Sequence, residues 1–399
     1  MLNQSFTTPN LLKLLRKNEP RKFRMGRSRE EYLNFIQTNL NRINPQQHSF
    51  TSISKAKING KEVIMASDLI EMLLLRKCND NIKRIFGLKK TDRQDIIKKN
   101  NIMLSESIPY YIYRLDIKSF YEYVDKYKIL EKINNNSIVS FTTKKIIRNF
   151  FNQTMFANKK GLPRGIGLSS TLSDLYLEEF DNTIKRTHQV YYHSRYVDDI
   201  IIFSFERIHD YLNFFQKKLP TPLLLNKEKC NEYIIDNNVN KTHVLEFLGY
   251  KFIIPNKPSE KSRKIQIEIS ESKIKKIKKR IVLSLKDYCN NGNKELLEKR
   301  MKYLTRNVPI KTDQKGKKTL YSGIYYTFVH ITKYEQLISL DAFKNYLIHS
   351  PKGELGKKLS RHRKSDYQCI KKYSFRFGYD KKLKFNLTLN ELKEITRIW

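Results

Sequence analysis

The stretch Tyr196-Val197-Asp198-Asp199 holds the only adjacent pair of aspartates in the 399-residue chain. It lies between two runs rich in β-branched and aromatic residues, 190–192 and 200–203, which predict two β-strands. The short connection predicts a hairpin with both carboxylates at its tip. Turn chemistry favours aspartate, so an ordinary polar turn would explain the pair. However, neighbouring carboxylates repel, and a close pair calls for a compensating cation or a well-solvated turn.

Two other stretches suit a site built around these carboxylates. Residues 110–116 (Tyr-Tyr-Ile-Tyr-Arg-Leu-Asp) predict a strand that ends in a lone carboxylate, Asp116, followed by a helix. Residues 161–170 (Gly-Leu-Pro-Arg-Gly-Ile-Gly-Leu-Ser-Ser) predict a loop in which glycines let the backbone approach a ligand closely. An apolar pattern of helical spacing follows, from Leu172 to Ile184.

In this order the three stretches resemble motifs A, B and C of the reverse transcriptase family. Residues 225–229 (Leu-Asn-Lys-Glu-Lys) resemble motif D, and residues 247–250 (Phe-Leu-Gly-Tyr) resemble motif E, the primer grip. Each motif alone is weak evidence, but five in the family's order are specific. The resemblance implies an α+β fold, a right-hand polymerase. Its fingers and palm combine an antiparallel sheet with helices, and its thumb and C-terminal region are mostly helical.

The resemblance also implies the chemistry, that of an RNA-directed DNA polymerase, a nucleotidyltransferase. Such transfer uses two Mg²⁺ ions, for which Mn²⁺ is a substitute, and carboxylates from separate strands supply the oxygen ligands that Mg²⁺ prefers. By resemblance Asp116 and Asp198 bridge the metal ions, with Asp199 in support and the main-chain carbonyl of Ile117 as a further ligand. Lys229 matches the motif D lysine, a candidate general acid for pyrophosphate departure, or else is an ordinary surface lysine.

Nucleotide contacts follow from the same resemblance. Tyr121, five residues after Asp116, matches the aromatic steric gate that excludes the 2′-hydroxyl of a ribonucleotide; a core aromatic is the alternative. The fingers of right-hand polymerases deliver cations to the triphosphate, and residues 76–93 carry several. Asn59-Gly60 between alternating residues predicts a hairpin just before them. The residues assigned to nucleotide binding are Tyr121, Phe120, Arg84, Arg93 and Gly165.

Primer and template contacts are assigned to motif B, motif E and a predicted thumb. Arg164 stands where many Leu-Pro-Gln-Gly loops have glutamine, and its fixed charge and five donors lead us to expect a primer or template phosphate there. Residues 271–320 carry 16 Lys and Arg against 5 Asp and Glu. Lys273, Lys276 and Arg280 recur on one helical face, which suits a thumb on a hybrid duplex or a solvated surface. The assigned residues are Arg164, Gly161, Ser169, Phe247, Leu248, Gly249, Tyr250, Lys276 and Arg280.

The predicted organisation has four parts. Residues 1–54 form an N-terminal extension, 55–255 the fingers and palm, 264–320 the basic helical thumb, and 321–399 a basic and aromatic C-terminal region. In the last part, rings interleaved with cations, as in residues 371–377, suit single-stranded RNA, or else they form a packed core. The proline-containing segment Pro255–Arg263 predicts a linker between palm and thumb.

Composition narrows the class of partner and the compartment. The chain has 78 Lys and Arg against 40 Asp and Glu, a net charge of +38, which predicts a polyanionic partner. Its apolar runs are far shorter than the roughly 20 residues of a membrane span, and its N-terminus lacks the apolar segment of a signal peptide. Four scattered cysteines without a Cys-x-x-Cys pair fit reduced thiols. We therefore expect a cytoplasmic protein that does not bind membranes.

The sequence around Asp116, the glycine-rich loop and the basic and aromatic C-terminal region look most like the bacterial defence-associated reverse transcriptases, in particular the "a" subunit of the type 3 antiphage system. That resemblance implies antiphage defence and a dedicated noncoding RNA as template. It also implies deoxynucleoside triphosphates as substrates, a DNA product and a companion reverse transcriptase subunit. The alternatives are a retron-type enzyme, an abortive-infection-type enzyme that works without a template, and an RNA-binding scaffold whose catalysis is dispensable. The intact set Asp116, Asp198, Asp199 and Tyr121 favours an active enzyme.

Overall fold

The computed structural model describes residues 2–58, 60–88, 92–157, 160–259, 261–312, 319–349 and 352–399. Within these ranges the chain forms helices and antiparallel strands. The strands are β1 (Ile53–Ile58), β2 (Lys61–Ala66), β3 (Tyr110–Asp116), β4 (Val190–Tyr196), β5 (Asp199–Ser204), β6 (Asn231–Ile235), β7 (Thr242–Phe247), β8 (Tyr250–Pro255), β9 (Gln266–Ile269), β10 (Asn307–Thr312) and β11 (Thr319–Gly323).

The helices range in length from about one turn to almost six turns. They are α1 (Thr8–Leu12), α2 (Glu19–Lys22), α3 (Arg29–Asn41), α4 (Leu69–Ile85), α5 (Arg93–Leu104), α6 (Phe120–Tyr123), α7 (Lys126–Asn135), α8 (Phe141–Phe151), α9 (Thr154–Ala157), α10 (Gly167–Tyr176), α11 (Glu178–Lys185), α12 (Tyr211–Gln216), α13 (Glu271–Asn291), α14 (Lys294–Thr305), α15 (Ile324–Thr327), α16 (Glu335–His349), α17 (Gly353–Leu359), α18 (Lys364–Gln368), α19 (Phe375–Asp380) and α20 (Leu389–Thr396). Short 3-10 helices lie at Lys227–Lys229 and Cys369–Lys372. No helix of the described ranges is both long enough and apolar enough to cross a bilayer.

The chain divides into two compact units. The first comprises Met1–Asp92 and Pro109–Ile235, and the second comprises Arg93–Ile108 and Asp236–Trp399. Motifs A to D therefore belong to the first unit and motif E to the second. The four parts predicted from the sequence were defined by expected function, and their boundaries differ from those of the two compact units. The four-part division stays a prediction.

A four-stranded antiparallel sheet, in the order β4-β5-β3-β6, organises the first unit. Residues 200–203 of β5 are fully buried, because this strand is covered on both faces and is apolar along its whole length. The helical pattern that begins at Leu172 forms two helices, α10 and α11, which meet at the buried Leu177. This packing fixes the ends of β3 and β5, where the motif carboxylates lie.

The predicted hairpin near residue 60 is present as β1 and β2. Ile58 pairs with Lys61, and Gly60 between them has φ +75°, a left-handed conformation that glycine adopts without strain. Asn59 of the predicted turn lies outside the described residues, as do Lys89 and Lys90 among the cations of residues 76–93.

The second unit contains the three-stranded sheet β7-β8-β9, the hairpin β10-β11 and the helices from α13 onward. The segment predicted as a linker is anchored in it by Arg263, whose exposed fraction is 1%. The Arg263 guanidinium donates to the carbonyls of Asn256 and Ile108 at 2.9 and 3.0 Å, and also to the side chain of Asn237. The linker prediction was wrong at this end, because a buried arginine with several acceptors ties the chain down.

The C-terminal aromatic run is mainly core. Tyr373 is 5% exposed and donates its hydroxyl to Glu298 at 2.6 Å, and Phe375 is fully buried. Asp341 accepts the main-chain N–H of Phe375 at 2.8 Å, which holds the start of α19 against α16. Phe377 alone of the three rings is exposed, at 53%. Base stacking is therefore wrong as a role for Tyr373 and Phe375.

We predict that Phe375→Ala destabilises the protein by about 3–5 kcal/mol, because a buried ring leaves a cavity. The matched control is Phe377→Ala, two residues away on the same helix, for which we expect a change within about 0.5 kcal/mol. Urea unfolding of both variants checks this. Equal losses in the two variants would contradict the burial pattern.

Candidate active site

The pairing of β3 with β5 gathers the predicted carboxylates. Asp116, the last residue of β3, is the register partner of Asp199, the first residue of β5. The main-chain N–H of Ile117 donates to the carbonyl of Asp198 at 3.4 Å. Val197 in the connecting turn has φ +62°, a left-handed conformation that is rare for a β-branched residue. Asp116, Asp198 and Asp199 thus lie together at one end of the sheet.

The carboxylates are placed where their charges are unfavourable. Burial and then the negative charge of Asp198 raise the pKa of Asp199 to about 6. Burial also raises the pKa of Asp198, and the charge of Asp116 adds to it, while the charges of Arg164 and Lys61 act in the opposite direction. A cation bound here would relieve this repulsion.

The carboxylates offer oxygen ligands without a closed metal cage. In the described part of the chain, no group of three or more His, Cys, Asp and Glu side chains is arranged to hold a metal ion. Proteins commonly bind Mg²⁺ through one or two carboxylates, with waters and substrate phosphates completing the shell. The donor set of Asp116 and Asp198 fits that chemistry.

A buried arginine braces the turn that carries the aspartates. Arg195, on β4, bonds to Asp181 at 2.7 Å and to Asp174 at 3.1 Å, and donates to the carbonyl of Val197 at 3.1 Å. Asp174 lies on α10 and Asp181 on α11, so one guanidinium ties two helices to the turn. Sequence reasoning missed this residue. The one feature of the sequence that could have indicated this role is that Arg195 lies inside an aromatic strand, three residues before Asp198.

The predicted general acid lies beside the first aspartate. Nζ of Lys229 is 3.6 Å from Oδ2 of Asp116, and the lysine side chain is 59% exposed. It follows a turn anchored by the N–H of Asn226, which donates to the carbonyl of Asp116 at 2.7 Å. Motif D thus brings a solvent-accessible ammonium group to the carboxylate, a position from which it can reach a substrate.

The predicted steric gate, Tyr121, is half-buried and contacts Arg164. The guanidinium carbon of Arg164 lies 4.8 Å from the ring centroid of Tyr121, and the guanidinium forms a bidentate ion pair with Glu122 at 3.0 Å. We expected Arg164 to hold a nucleic-acid phosphate. In the structure the N–H groups of Arg164 donate to Glu122, and the face of its guanidinium lies against the Tyr121 ring.

The motif B glycines make room for protein backbone. A Cβ on Gly161 would lie 2.4 Å from the carbonyl oxygen of Tyr121, and one on Gly165 would lie 2.4 Å from that of Ile64. Both residues have positive φ, +91° and +96°. We expected these glycines to allow a close approach of nucleic acid. In the structure they allow a close approach of α6 and β2 instead. The loop is locked between these two elements.

Two further predicted contacts are buried. Phe120 and Ser169 are each 1% exposed, so neither side chain reaches the surface at which a nucleotide or primer would bind. The Phe120 ring packs edge-on against Tyr121 at 5.6 Å, so its influence on a nucleotide would run through the gate. Ser169 lies in the first turn of α10 and packs inside the unit. For these positions the structure gives a packing role in place of direct contact.

The predicted fingers cations are engaged elsewhere. Arg84 pairs with Asp80 at 3.0 Å on the surface of α4. Arg93 belongs to the second unit, where it donates to the carbonyl of Leu248 at 2.9 Å and to that of Thr327 at 2.8 Å. Main-chain acceptors thus occupy the Arg93 guanidinium. The structure gives it an anchoring role at motif E.

Lys61 is a candidate that sequence reasoning missed. It begins β2 and is exposed, and its charge slightly offsets the burial that raises the pKa of Asp198. The β1–β2 hairpin therefore carries a positive charge whose sign is favourable to the carboxylates. The signal available in the sequence is its place directly after the Asn-Gly turn.

Motif E presents its backbone and buries its rings. Phe247 and Tyr250, at the ends of β7 and β8, are 1% and 0% exposed. Leu248 and Gly249 form the turn between them with φ +48° and +79°. A Cβ on Gly249 would lie 3.0 Å from Cε of Lys273, so a larger residue would crowd this lysine. Of the four predicted primer contacts, the turn residues are the accessible ones.

The cations of α13 line a cavity in the second unit. Lys273, Lys276 and Arg280 contribute to a cavity of about 210 Å³, together with apolar residues such as Phe328. Partial burial and the neighbouring positive charges lower the pKa of Lys273. The guanidinium of Arg280 lies over the ring of Trp399, 4.9 Å from its centroid. Cations crowded together in this way favour the binding of an anion.

Residues 36–252, more than half of the chain, match the family model described as Reverse transcriptase (RNA-dependent DNA polymerase). The chain belongs to the reverse transcriptase family. The matched range contains the sequence motifs A to E. Family membership confirms the predicted α+β right-hand polymerase fold and the predicted enzyme class, an RNA-directed DNA polymerase.

Among solved structures, this reverse transcriptase is similar to telomerase from Candida albicans in complex with a TWJ fragment of telomeric RNA. The identity is 11% and the TM-score 0.37, with 86% of this chain and 65% of that chain covered. It is also similar to apo telomerase from Candida tropicalis, with 11% identity, a TM-score of 0.31, and coverages of 97% and 54%. The chain thus spans less than two thirds of the length of either. No curated protein matches its sequence.

We predict that Asp199→Asn stabilises the metal-free reverse transcriptase above pH 6 and not near pH 4. Folding raises the pKa of Asp199 from 3.8 to about 6. Between these two pH values the Asp199 carboxyl of the folded parent still holds its proton, whereas that of the unfolded chain has lost it. The parent therefore loses stability as the pH rises through this range, and asparagine removes that loss. The expected gain is on the order of 1–3 kcal/mol.

Urea unfolding in EDTA, measured between about pH 4 and 8, checks this prediction. A gain that is the same at both ends of the range would show that the charge of Asp199 is not its cause.

Proposed function

We propose that this chain is an RNA-templated DNA polymerase that extends a primer with deoxynucleotides, with Asp116, Asp198 and Asp199 as its catalytic carboxylates. The observation that carries the proposal is the β3–β5 register, which sets Asp116 opposite Asp199 with Asp198 in the adjoining turn. The membership of the chain in the reverse transcriptase family supports it.

Asp116 and Asp198 would hold two divalent metal ions, Mg²⁺ or Mn²⁺, with Asp199 in support and the carbonyl of Ile117 as a further ligand. The repulsion that raises the pKa of Asp198 and Asp199 fits this assignment, since a bound cation would offset it. When bound, such ions activate the primer 3′-hydroxyl and neutralise the leaving pyrophosphate.

The chain's own groups would position the substrate. Tyr121 would exclude the 2′-hydroxyl, and Lys61 would supply positive charge toward the triphosphate. Lys229, 3.6 Å from Asp116 and exposed, would hold the proton that pyrophosphate takes as it leaves. The motif E turn at Leu248 and Gly249, and the cations of α13, would contact primer and template in the second unit.

We further propose that the enzyme acts in the bacterial cytoplasm in antiphage defence, with a dedicated noncoding RNA and a companion reverse transcriptase. The support is the resemblance of the motif contexts to the type 3 defence system and the net charge of +38, which favours a polyanionic partner. Sequencing the nucleic acid that co-purifies with the protein tests this proposal. A structured RNA whose complement appears in the DNA product supports it, and product without any RNA complement favours the template-independent alternative.

We predict that Asp198→Asn lowers the rate of Mg²⁺-dependent deoxynucleotide incorporation by about 10³-fold or more, since metal stabilisation of transition-state charge is worth several kcal/mol. The control is Glu179→Gln, which removes an exposed carboxylate on α11 that is not one of the proposed metal ligands. Mg²⁺ should also raise the melting temperature of the parent and of the control, and should do so less in Asp198→Asn. Parent-like incorporation by Asp198→Asn would remove this aspartate from the mechanism.

We predict that Lys276→Gln with Arg280→Gln weakens binding of an RNA–DNA hybrid and flattens its salt dependence by about one unit of slope per lost phosphate contact. Trp399, the only tryptophan, stacks on Arg280, so its fluorescence reports binding at this cavity. The control is Lys275→Gln on the opposite face of α13.

In the parent and in Lys275→Gln we expect a fluorescence change on titration with the hybrid. If the double variant binds as tightly as the parent at every salt concentration, the cavity is not a nucleic-acid contact.

A further inference from the structure

Three side chains in the first unit form a connected group at the nucleotide end of the site. The Arg164 guanidinium lies over the Tyr121 ring at 4.8 Å. Its Nε and Nη2 donate to the Glu122 carboxylate at 3.1 and 3.0 Å. Bidentate pairing of this kind fixes the plane of the guanidinium as well as its position. The residue that flanks the ring is therefore itself held in place.

The backbone sets the distance between the two partners. The N–H of Leu162 donates to the carbonyl of Tyr121 at 2.7 Å, and Gly161 leaves no room for a side chain against α6. At the other end of the loop, the N–H of Ile64 donates to the carbonyl of Arg164 at 2.8 Å. The backbone of Arg164 is thus fixed at its own carbonyl and two residues upstream, and the pair with Glu122 holds its side chain.

The Tyr121 ring has one neighbour in the core, Phe120, and one nearer the surface, Arg164. Phe120 packs edge-on against it, at an interplanar angle of 65°, and is buried in the core. Arg164 is 26% exposed and Glu122 is 52% exposed, so both can be replaced without opening the core. Tyr121 lies in α6, which begins four residues after Asp116 at the end of β3.

We propose that Arg164, oriented by Glu122, is a positioning residue that holds the Tyr121 ring in place, and that this contact sets how strongly the enzyme discriminates between deoxyribonucleotides and ribonucleotides. The inference rests on the proposed polymerase function. A steric gate excludes the 2′-hydroxyl only while its ring stays in position. A ring that can move away leaves space for the extra oxygen. A guanidinium on the ring face restrains that movement.

The alternative role for Arg164, a phosphate contact, gives a different kinetic signature. Loss of a phosphate contact removes binding energy that both nucleotide classes share, so KM rises equally for both and their ratio of kcat/KM stays constant. Loss of a gate support raises kcat/KM for ribonucleotides relative to deoxyribonucleotides. The ratio therefore separates the two roles.

The experiment measures single-nucleotide incorporation of dATP and ATP on one primer and template. For Arg164→Gln and Glu122→Gln we expect the discrimination ratio to fall about 3- to 30-fold, the range that one lost cation–π contact corresponds to. Arg164→Lys keeps the charge and loses the planar pair, so its ratio should lie between these and the parent. The control is Arg207→Gln, which breaks a comparable bidentate pair with Glu232, at 3.0 and 2.9 Å, elsewhere in the same unit.

Combination with gate variants isolates the contact. In Tyr121→Phe the ring remains, so adding Arg164→Gln should lower the ratio as it does in the parent. In Tyr121→Val the ring is absent, so adding Arg164→Gln should leave the ratio unchanged. Thermal melting confirms that each variant is folded. An unchanged ratio in folded Arg164→Gln, or an equal rise of KM for both nucleotides, would overturn the inference.

If the parent incorporates no nucleotide, the proposed function is wrong, and the contact is then tested by equilibrium binding of dATP and ATP. A preference for dATP that falls in Arg164→Gln and is kept in Arg207→Gln supports the inference. Equal preference in the parent and Arg164→Gln overturns it.

Discussion

Repulsion among Asp116, Asp198 and Asp199 is the constraint that the first unit is built to withstand. The carboxylates are held by main-chain pairing of β3 with β5, which their charges cannot break without opening a fully buried strand. Arg195 adds a second restraint, since its donation to the carbonyl of Val197 fixes the turn that carries two of them. The pKa of Asp199, raised to about 6, reflects the resulting unfavourable charge. Because the backbone fixes these positions, the carboxylates would be preorganised for a cation.

The carboxylates could be predicted because their placement depends on local pattern. An apolar strand that ends in aspartate, and an Asp-Asp turn between two β-branched runs, define strand ends whatever the rest of the fold does. Arg195 and Lys61 could not be found in this way, because their roles depend on which helices and hairpins pack beside the sheet. Arg93 shows the same limit. Its position in a basic run favoured a phosphate contact, whereas the fold surrounds it with carbonyl acceptors.

Burial explains most of the remaining differences between expectation and structure. Interleaved rings and cations are ambiguous in a sequence, since cations can line a core as well as bind RNA. In residues 371–377 the fold resolves the ambiguity: Asp341 accepts the N–H of Phe375 at the start of α19, and the Phe375 ring is fully buried. The motif B glycines are a related case. The sequence shows correctly that bulk is excluded at Gly161 and Gly165, but only the fold shows that α6 and β2 exclude it.

The motif B loop gives this reverse transcriptase its most individual feature. A glutamine at position 164 could bond to Glu122 but would bring no charge and no guanidinium face to Tyr121. Arginine does both, and its charge also moderates the burial penalty on Asp198. The same loop binds β2 through the carbonyl of Arg164 and binds Tyr121 through the N–H of Leu162, so one short segment joins the hairpin that carries Lys61 to the ring proposed as the gate. Under the proposed function, a change at residue 164 would act on nucleotide selection through Tyr121 and on the carboxylates through its charge, so one side chain would couple the two.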